Sequence, residues 1–264
     1  MIKLIAIDLD GSLLTDSKQL PPDFWTIADK LFEKNITLAI ASGRPFHNIA
    51  SIFQRIKDKI YFVCDNGSYV VHNNEELLTD PLDFASIKKF IDLSRPLQDV
   101  YPVLCSKHLA YIEDQNQDFA DQALQYYQEF KVVEDLTKVE DVILKISLCD
   151  LKGSETNSYP FYKQFEKDYK IAIAGHIWLD ITSPTASKGN AIKAIQKKLN
   201  ILPEETLVFG DYLNDLDMIK EAGFGYAMKN AHPKILEAAK YTTELDNNHY
   251  GVIHTIKQLL NIES

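Results

Sequence analysis

Cysteine is scarce in this sequence: Cys64, Cys105 and Cys149 are the only three in 264 residues, far apart and odd in number. No disulfide framework or cysteine-based metal spacing fits them, and a reducing compartment is the plain reading. Positive charge is also short, with 28 Lys and Arg against 38 Asp and Glu and a formal net charge of −10. Nucleic-acid affinity rests mainly on cations neutralising phosphates, so this balance argues against a nucleic-acid partner. It leaves room for a small anionic substrate, because a metal ion or a local Lys can reverse the field inside one cleft. No apolar stretch approaches the length needed to cross a bilayer, so no membrane partner is expected. The opening run MIKLIAI is too short for a secretory signal and is broken by Asp8, so the expected location is cytoplasmic. Internal repeats and low-complexity linkers are missing as well.

What remains is an ordinary globular composition, 45% hydrophobic and 25% charged. The first 80 residues or so alternate strand and helix signals. KLIAI, ITLAIASG and IYFVC read as continuous apolar strands. PPDFWTIADKLFEKN and FHNIASIFQRIKDK carry apolar residues at helical spacing between them. That order predicts right-handed βαβ units on a parallel sheet, followed by a turn at DNGS into a short hairpin. From Leu82 the texture changes. YPVLCS, LAYIED, VILKISLC, YKIAIAG and IWLDIT come in adjacent pairs separated by two helical stretches, which predicts antiparallel pairing in a separate α+β module. After SPTASKG the strand–helix alternation returns to the end. The expected architecture is an α/β, Rossmann-like three-layer core with a parallel sheet, formed by residues 1–81 and 184–264, with residues 82–183 inserted as an α+β domain. Hinges are expected near Pro81 and Pro184.

The stretch DLDGS raises the chemical question. Asp8 and Asp10 stand two apart, and on a strand both side chains would point to one spot, where like charges repel. A cation, a shared proton or a task needing two acids must compensate. Three further stretches also stand where an open α/β sheet places its ligands: ASGR (Ser42, Gly43, Arg44), SKGNAI (Lys188) and GDYLNDLDM (Asp211, Asn214, Asp215). Each alone is explained by helix capping, a tight turn or a solvated Lys. Together, Asp8, Asp10, Asp211 and Asp215 predict an acidic cluster that needs a cation. With only oxygen ligands on offer, Mg²⁺ suits it best. Lys188 and Arg44 add positive charge, Ser42 a hydroxyl, and the turns at Gly11 and Gly43 backbone N–H groups, which are the parts of a phosphoryl site.

In their order and wording, DLDGSLL, ASGR, SKGNAI and GDYLNDLDM resemble the four motifs of the haloacid dehalogenase (HAD) superfamily. DNGS and AMKNAHPKI resemble stretches of its Cof-type phosphatases, subclass IIB. The resemblance implies a HAD-like catalytic core with residues 82–183 as a type C2B cap domain. It implies a Mg²⁺-dependent phosphatase acting on a small phosphorylated metabolite, such as a sugar phosphate, through an aspartyl-phosphate. Asp8 would be the nucleophile, Asp10 the acid and base, and Lys188 the neutralising cation. The metal would be held by Asp8, the backbone carbonyl of Asp10, and Asp211, with Asp215 and Asn214 holding its waters. Asp215 and Asn214 would also orient Lys188. The implied substrate-binding set is Leu9, Ser42, Gly43, Arg44, Lys188 and Asn214, with Arg44 either contacting substrate or shaping the cleft through a salt bridge. Ser12 stands where the family has Thr and keeps the hydroxyl; Tyr212 stands where a smaller residue is usual and is expected to narrow the cleft. In the inserted segment Lys107, His108, His176 and Trp178 are candidates to line a pocket, or are simply packing. A phosphomutase of the same superfamily is the alternative enzyme. A non-catalytic phospho-acceptor module is the other alternative, disfavoured because such modules lack an acid two residues after the acceptor Asp.

Overall fold

The computed structural model describes residues 1–113, 116–124, 130–174 and 176–262. The last residue of LAYIED and that of YKIAIAG, Asp114 and Gly175, lie outside these. The chain opens with β1 (Leu4–Asp8), α1 (Phe24–Glu33), β2 (Thr37–Ala41), α2 (Phe46–Ile52), β3 (Tyr61–Cys64), β4 (Tyr69–His72) and β5 (Glu75–Thr79). Next come α3 (Phe84–Ser94), β6 (Val100–Ser106), β7 (Ala110–Ile112), α4 (Gln117–Ala123), β8 (Phe130–Val132), β9 (Ile143–Asp150), α5 (Tyr159–Tyr162), β10 (Lys170–Ile173) and β11 (Trp178–Thr182). The chain closes with α6 (Lys188–Leu199), β12 (Thr206–Gly210), α7 (Leu216–Glu221), β13 (Phe224–Ala227), α8 (Pro233–Ala238), β14 (Tyr241–Thr242) and α9 (Gly251–Leu260).

Two sheets result. The first has eight strands in the order β14-β13-β12-β1-β2-β3-β4-β5. Its pairs from β14 through β3 are parallel, and β4 returns antiparallel to β3. β1 and β12 are buried at every position, as strands covered on both faces must be. α1 meets the core with Phe24, Ile27, Ala28 and Leu31, one stripe at helical spacing. Ser187 caps α6 by accepting the Asn190 N–H, and Asn200 ends it in the left-handed conformation. The chain order runs outward from β1 to β2 and β3 on one side, and from β12 to β13 on the other. The strand order therefore reverses between β1 and β12, the place where open α/β sheets bind ligands.

The second sheet has six strands, β10-β11-β9-β6-β7-β8. β9 is buried throughout and alternates between two apolar clusters. Ile146 and Leu148 join Phe90, Ile91 and Tyr162 on one face; Cys149 joins Val103, Cys105, Phe119 and Trp178 on the other. The pairing departs from the expected antiparallel pattern at one edge, where β7 and β8 are parallel. The chain between β7 and β8, which includes α4, makes the crossover that parallel neighbours require. Among the described residues this segment has three helices rather than the expected two.

The chain divides into two compact units. One comprises Met1–Ser42, Arg55–Leu78 and Ser187–Ser264, the other Gly43–Gln54 and Thr79–Ala186. The segment from Gly43 to Gln54, read from sequence as part of the core, falls in the second unit, where Lys145 Nζ donates to the Gly43 carbonyl and the rings of His47 and His108 lie 6.0 Å apart. α2 is also shorter than its periodicity predicts, giving way to a 3-10 turn at Gln54–Ile56. Within the second unit, the two ends of Thr79–Ala186 are tied by the Thr185 hydroxyl, which donates to Asp80 at 2.7 Å.

Candidate active site

Asp8 is the last residue of β1, and its parallel neighbour β12 ends at Gly210, so Asp8 and Asp211 emerge at the same edge of the sheet. After β12 the chain makes a 3-10 turn, Leu213–Asp215, which brings the Asp215 carboxylate back over its own start. Asp215 Oδ2 accepts the backbone N–H groups of Asp211 at 2.9 Å and Tyr212 at 3.2 Å. Its other oxygen accepts from Lys188 Nζ at 2.6 Å, and the same ammonium reaches Asp8 Oδ1 at 2.5 Å. Lys188, first residue of α6, is fully buried, as is Asp215. One carboxylate oxygen from each of Asp8, Asp211 and Asp215 lies within 4.8 Å of the other two. Ser12 donates its hydroxyl to Asp211 at 3.3 Å.

The electrostatics follow from this crowding. Burial, then the Asp215 and Asp211 charges, raise the Asp8 carboxyl well above its ordinary value, with Lys188 pulling the other way. Burial and Asp215 likewise push Asp211 up to about 6. Burial opposes the charge on Lys188, but Asp215 and Asp8 more than offset it and hold the ammonium above its usual range. One cation against three acids leaves an excess of negative charge. Asp8 Oδ2 is buried without a hydrogen-bond partner. A hard divalent cation fits this donor set: three convergent carboxylates, an unsatisfied oxygen among them, and no competing Cys or His in the group.

Asp10 departs from the sequence reading. β1 stops at Asp8, the chain turns through Gly11 with φ 81°, and Asp10 does not share the strand face of Asp8. Its carboxylate is 35% exposed and pairs with Lys18 at 2.7 Å, and it is absent from the three-carboxylate group. The repulsion that Asp8 faces therefore comes from Asp211 and Asp215 rather than from Asp10.

The remaining candidates divide by position. Leu9 has a fully buried side chain, so it can offer a ligand only its backbone. Ser42 follows β2 and is buried, donating its N–H to the Val63 carbonyl and accepting from the Asn66 N–H. Gly43 and Arg44 continue from Ser42; Arg44 donates to Asn48 four residues on at 2.9 Å. Asn214 donates to the Asn66 side chain at 3.0 Å. Tyr212 is 45% exposed and stands edge-on to His232. In the second unit Trp178 is packed into an apolar cluster, His108 lies beside His47, and His176 is exposed.

Three contacts escape sequence reading: Asn66 on Asn214, Lys18 on Asp10, and Asn230, which donates to the Gly11 carbonyl at 2.8 Å. The first had a signal in the Asn-Gly dipeptide of DNGS. Asn66 and Gly67 both take positive φ, and a Cβ on Gly67 would collide with the Ser187 carbonyl at the entry to α6. The dipeptide thus lets the chain press against the turn that presents Lys188.

The family of haloacid dehalogenase-like hydrolases matches residues 5–256. The 5-amino-6-(5-phospho-D-ribitylamino)uracil phosphatase YbjI of Escherichia coli is 31% identical over 276 residues, covering 100% of this chain and 98% of that protein. Among solved structures, SMU.1108c of Streptococcus mutans superposes with a TM-score of 0.88 at 24% identity, covering 99% of this chain and 100% of the other. The subclass IIB sugar phosphatase BT4131 superposes with a TM-score of 0.84 at 20% identity, covering 98% and 100%. The chain belongs to the haloacid dehalogenase-like hydrolases and is a phosphatase of that family.

Proposed function

We propose that the protein is a Mg²⁺-dependent phosphatase that hydrolyses a small phosphorylated metabolite, a sugar phosphate or similar phosphomonoester, through an aspartyl-phosphate on Asp8. The observation that carries this reading is the Lys188 ammonium shared between Asp8 Oδ1 and Asp215 Oδ1, with Asp8 Oδ2 left over. Lys188 and the metal would hold the Asp8 carboxylate in place, so that one of its oxygens is oriented for attack in line on phosphorus. Asp8 and Asp211, with the Asp10 carbonyl, would hold Mg²⁺ and Asp215 its waters; when bound, the ion supplies charge neutralisation for the phosphoryl oxygens. Lys188 neutralises charge on Asp8 and on the phosphoryl group. The Ser42 hydroxyl binds a phosphoryl oxygen.

In the first step an Asp8 oxygen bonds to phosphorus as the ester P–O bond breaks, and Asp10, released from its pair with Lys18, gives its proton to the leaving alkoxide. In the second, Asp10 takes a proton from water, whose oxygen attacks phosphorus and releases Asp8 as carboxylate and inorganic phosphate. The proton count closes on Asp10. The names of the relatives support the substrate class, since one acts on a phosphorylated ribityl chain and another on sugar phosphates.

The test is phosphate release from a panel of sugar phosphates, polyol phosphates and 5-amino-6-(5-phospho-D-ribitylamino)uracil, with Mg²⁺ and with excess chelator. Release that requires Mg²⁺ is expected. Full turnover in chelator, or no release from any phosphomonoester, contradicts the reading.

A further inference from the structure

The second sheet buries an ion pair that the site described above does not use. Lys145 and Ser147 of β9 share the face of Cys149, and Asp180 of β11 shares the face of Trp178, so three polar side chains interrupt an apolar cluster. Lys145 is 3% exposed and Asp180 4%. Lys145 Nζ lies 3.2 Å from Asp180 Oδ2, and Asp180 Oδ1 accepts from the Ser147 hydroxyl at 2.6 Å. A buried pair of this kind gains little stability over apolar residues of similar size, because both charges must leave water. Its third contact points to a use. Lys145 Nζ donates to the Gly43 carbonyl at 2.8 Å, across 102 positions of sequence.

Gly43 lies between Ser42 and Arg44, and its neighbours are already restrained. Ser42 is held to β3 by its N–H bond to Val63, and Arg44 precedes Pro45, which confines it to extended backbone. Gly43 has no side chain to restrain it, so the direction of its carbonyl is the soft point of the segment. The peptide unit is planar and trans, so fixing that carbonyl also fixes the Arg44 N–H, which points the opposite way. A buried ammonium, itself locked by Asp180, is a rigid clamp for the purpose.

We propose that Lys145, held by Asp180 and Ser147, is a positioning residue that fixes the Gly43 peptide and so restrains the chain directly following Ser42, the residue proposed to bind a phosphoryl oxygen. The proposal rests on the phosphatase reading of the site. Its test is the Lys145→Met/Asp180→Leu double variant, which removes both charges together and fills the space with apolar groups. The expected result is a folded protein whose kcat/KM for p-nitrophenyl phosphate falls tenfold or more. KM and the dissociation constant of inorganic phosphate should rise together, because Ser42 would contact phosphate in ground and transition states alike. A merely structural pair would change the melting temperature and leave both constants, per folded molecule, at wild-type values; that outcome overturns the proposal. If the double variant does not fold, Lys145→Gln serves: its neutral amide keeps a donor near Asp180 but is one bond shorter and loses Gly43. The same rise in the phosphate dissociation constant is expected, and a wild-type value overturns the proposal. If wild-type protein releases no phosphate from any ester, the phosphatase reading fails. Calorimetric phosphate binding still compares variant with wild type and decides the role of Lys145.

Discussion

Lys188 Nζ stands 2.5 Å from Asp8 Oδ1, although the two residues are 180 positions apart in sequence. The contact joins the end of the first strand to the start of α6, and both side chains are buried. It places a permanent cation on the carboxylate proposed to attack phosphorus.

Replacing Lys188 with Met tests how much depends on that cation. The change leaves Asp8 and Asp215 buried without their partner. In metal-free protein it should cost about 3–5 kcal/mol of stability, as loss of one member of a buried ion pair does. Added Mg²⁺ should recover part of the loss, and turnover should fall by at least about 100-fold. Denaturation midpoints with and without Mg²⁺, beside steady-state rates, check both parts.

If Asp211 holds the metal as proposed, it should give metal binding a pH dependence. Its carboxyl is pushed up to about 6 by burial and Asp215, whereas in the unfolded chain it ionises near about 4. Between those values the folded metal-free protein keeps a proton that the unfolded chain has released. This group's contribution to stability is therefore full below pH of about 4 and is lost as pH rises through about 6. Metal binding has the opposite sign, because the cation needs the ionised carboxylate. Mg²⁺ affinity should rise between about pH 5 and 7, which calorimetric titration would show. A flat profile would mean that Asp211 does not bind the ion.

Gly67→Ala probes the turn that backs α6. Gly67 has φ 96°, and an added methyl would meet the Ser187 carbonyl. Backbone strain alone should destabilise the protein by about 1–3 kcal/mol. Because Ser187 directly precedes Lys188, turnover should fall as well as stability. Unchanged activity in the folded variant would separate this turn from the site.

The convergence of Asp8, Lys188, Asp211 and Asp215 is legible in the sequence because short acidic and basic stretches follow apolar strands, and strand ends of one parallel sheet share an edge. The place of Asp10 is not legible. Alternation on a strand assumes the strand continues, and this one ends at Asp8 before the turn at Gly11. The direction of the β7–β8 pair is hidden for a related reason: an apolar run predicts a strand, not which way its neighbour runs. Lys145 is hidden most deeply. A Lys on a strand reads as the solvated face, and nothing near it in sequence announces Asp180 or Gly43.

The two opening carboxylates should differ in how they fail. Asp8→Asn should lose turnover almost completely, since an amide is a poor nucleophile. Asp10→Asn should fail on sugar phosphates, whose alkoxide leaving group needs a proton, and less on p-nitrophenyl phosphate, whose leaving group does not. With that substrate the first step survives while hydrolysis of the intermediate, deprived of its base, becomes slow.

Intact-protein mass spectrometry of Asp10→Asn incubated with p-nitrophenyl phosphate and Mg²⁺ therefore tests the assignment of Asp8 most directly. One added phosphoryl group, mapping to Asp8 and absent from the Asp8→Asn/Asp10→Asn double variant, is the predicted result. A phosphoryl group on any other residue, or wild-type turnover by Asp8→Asn, would contradict it.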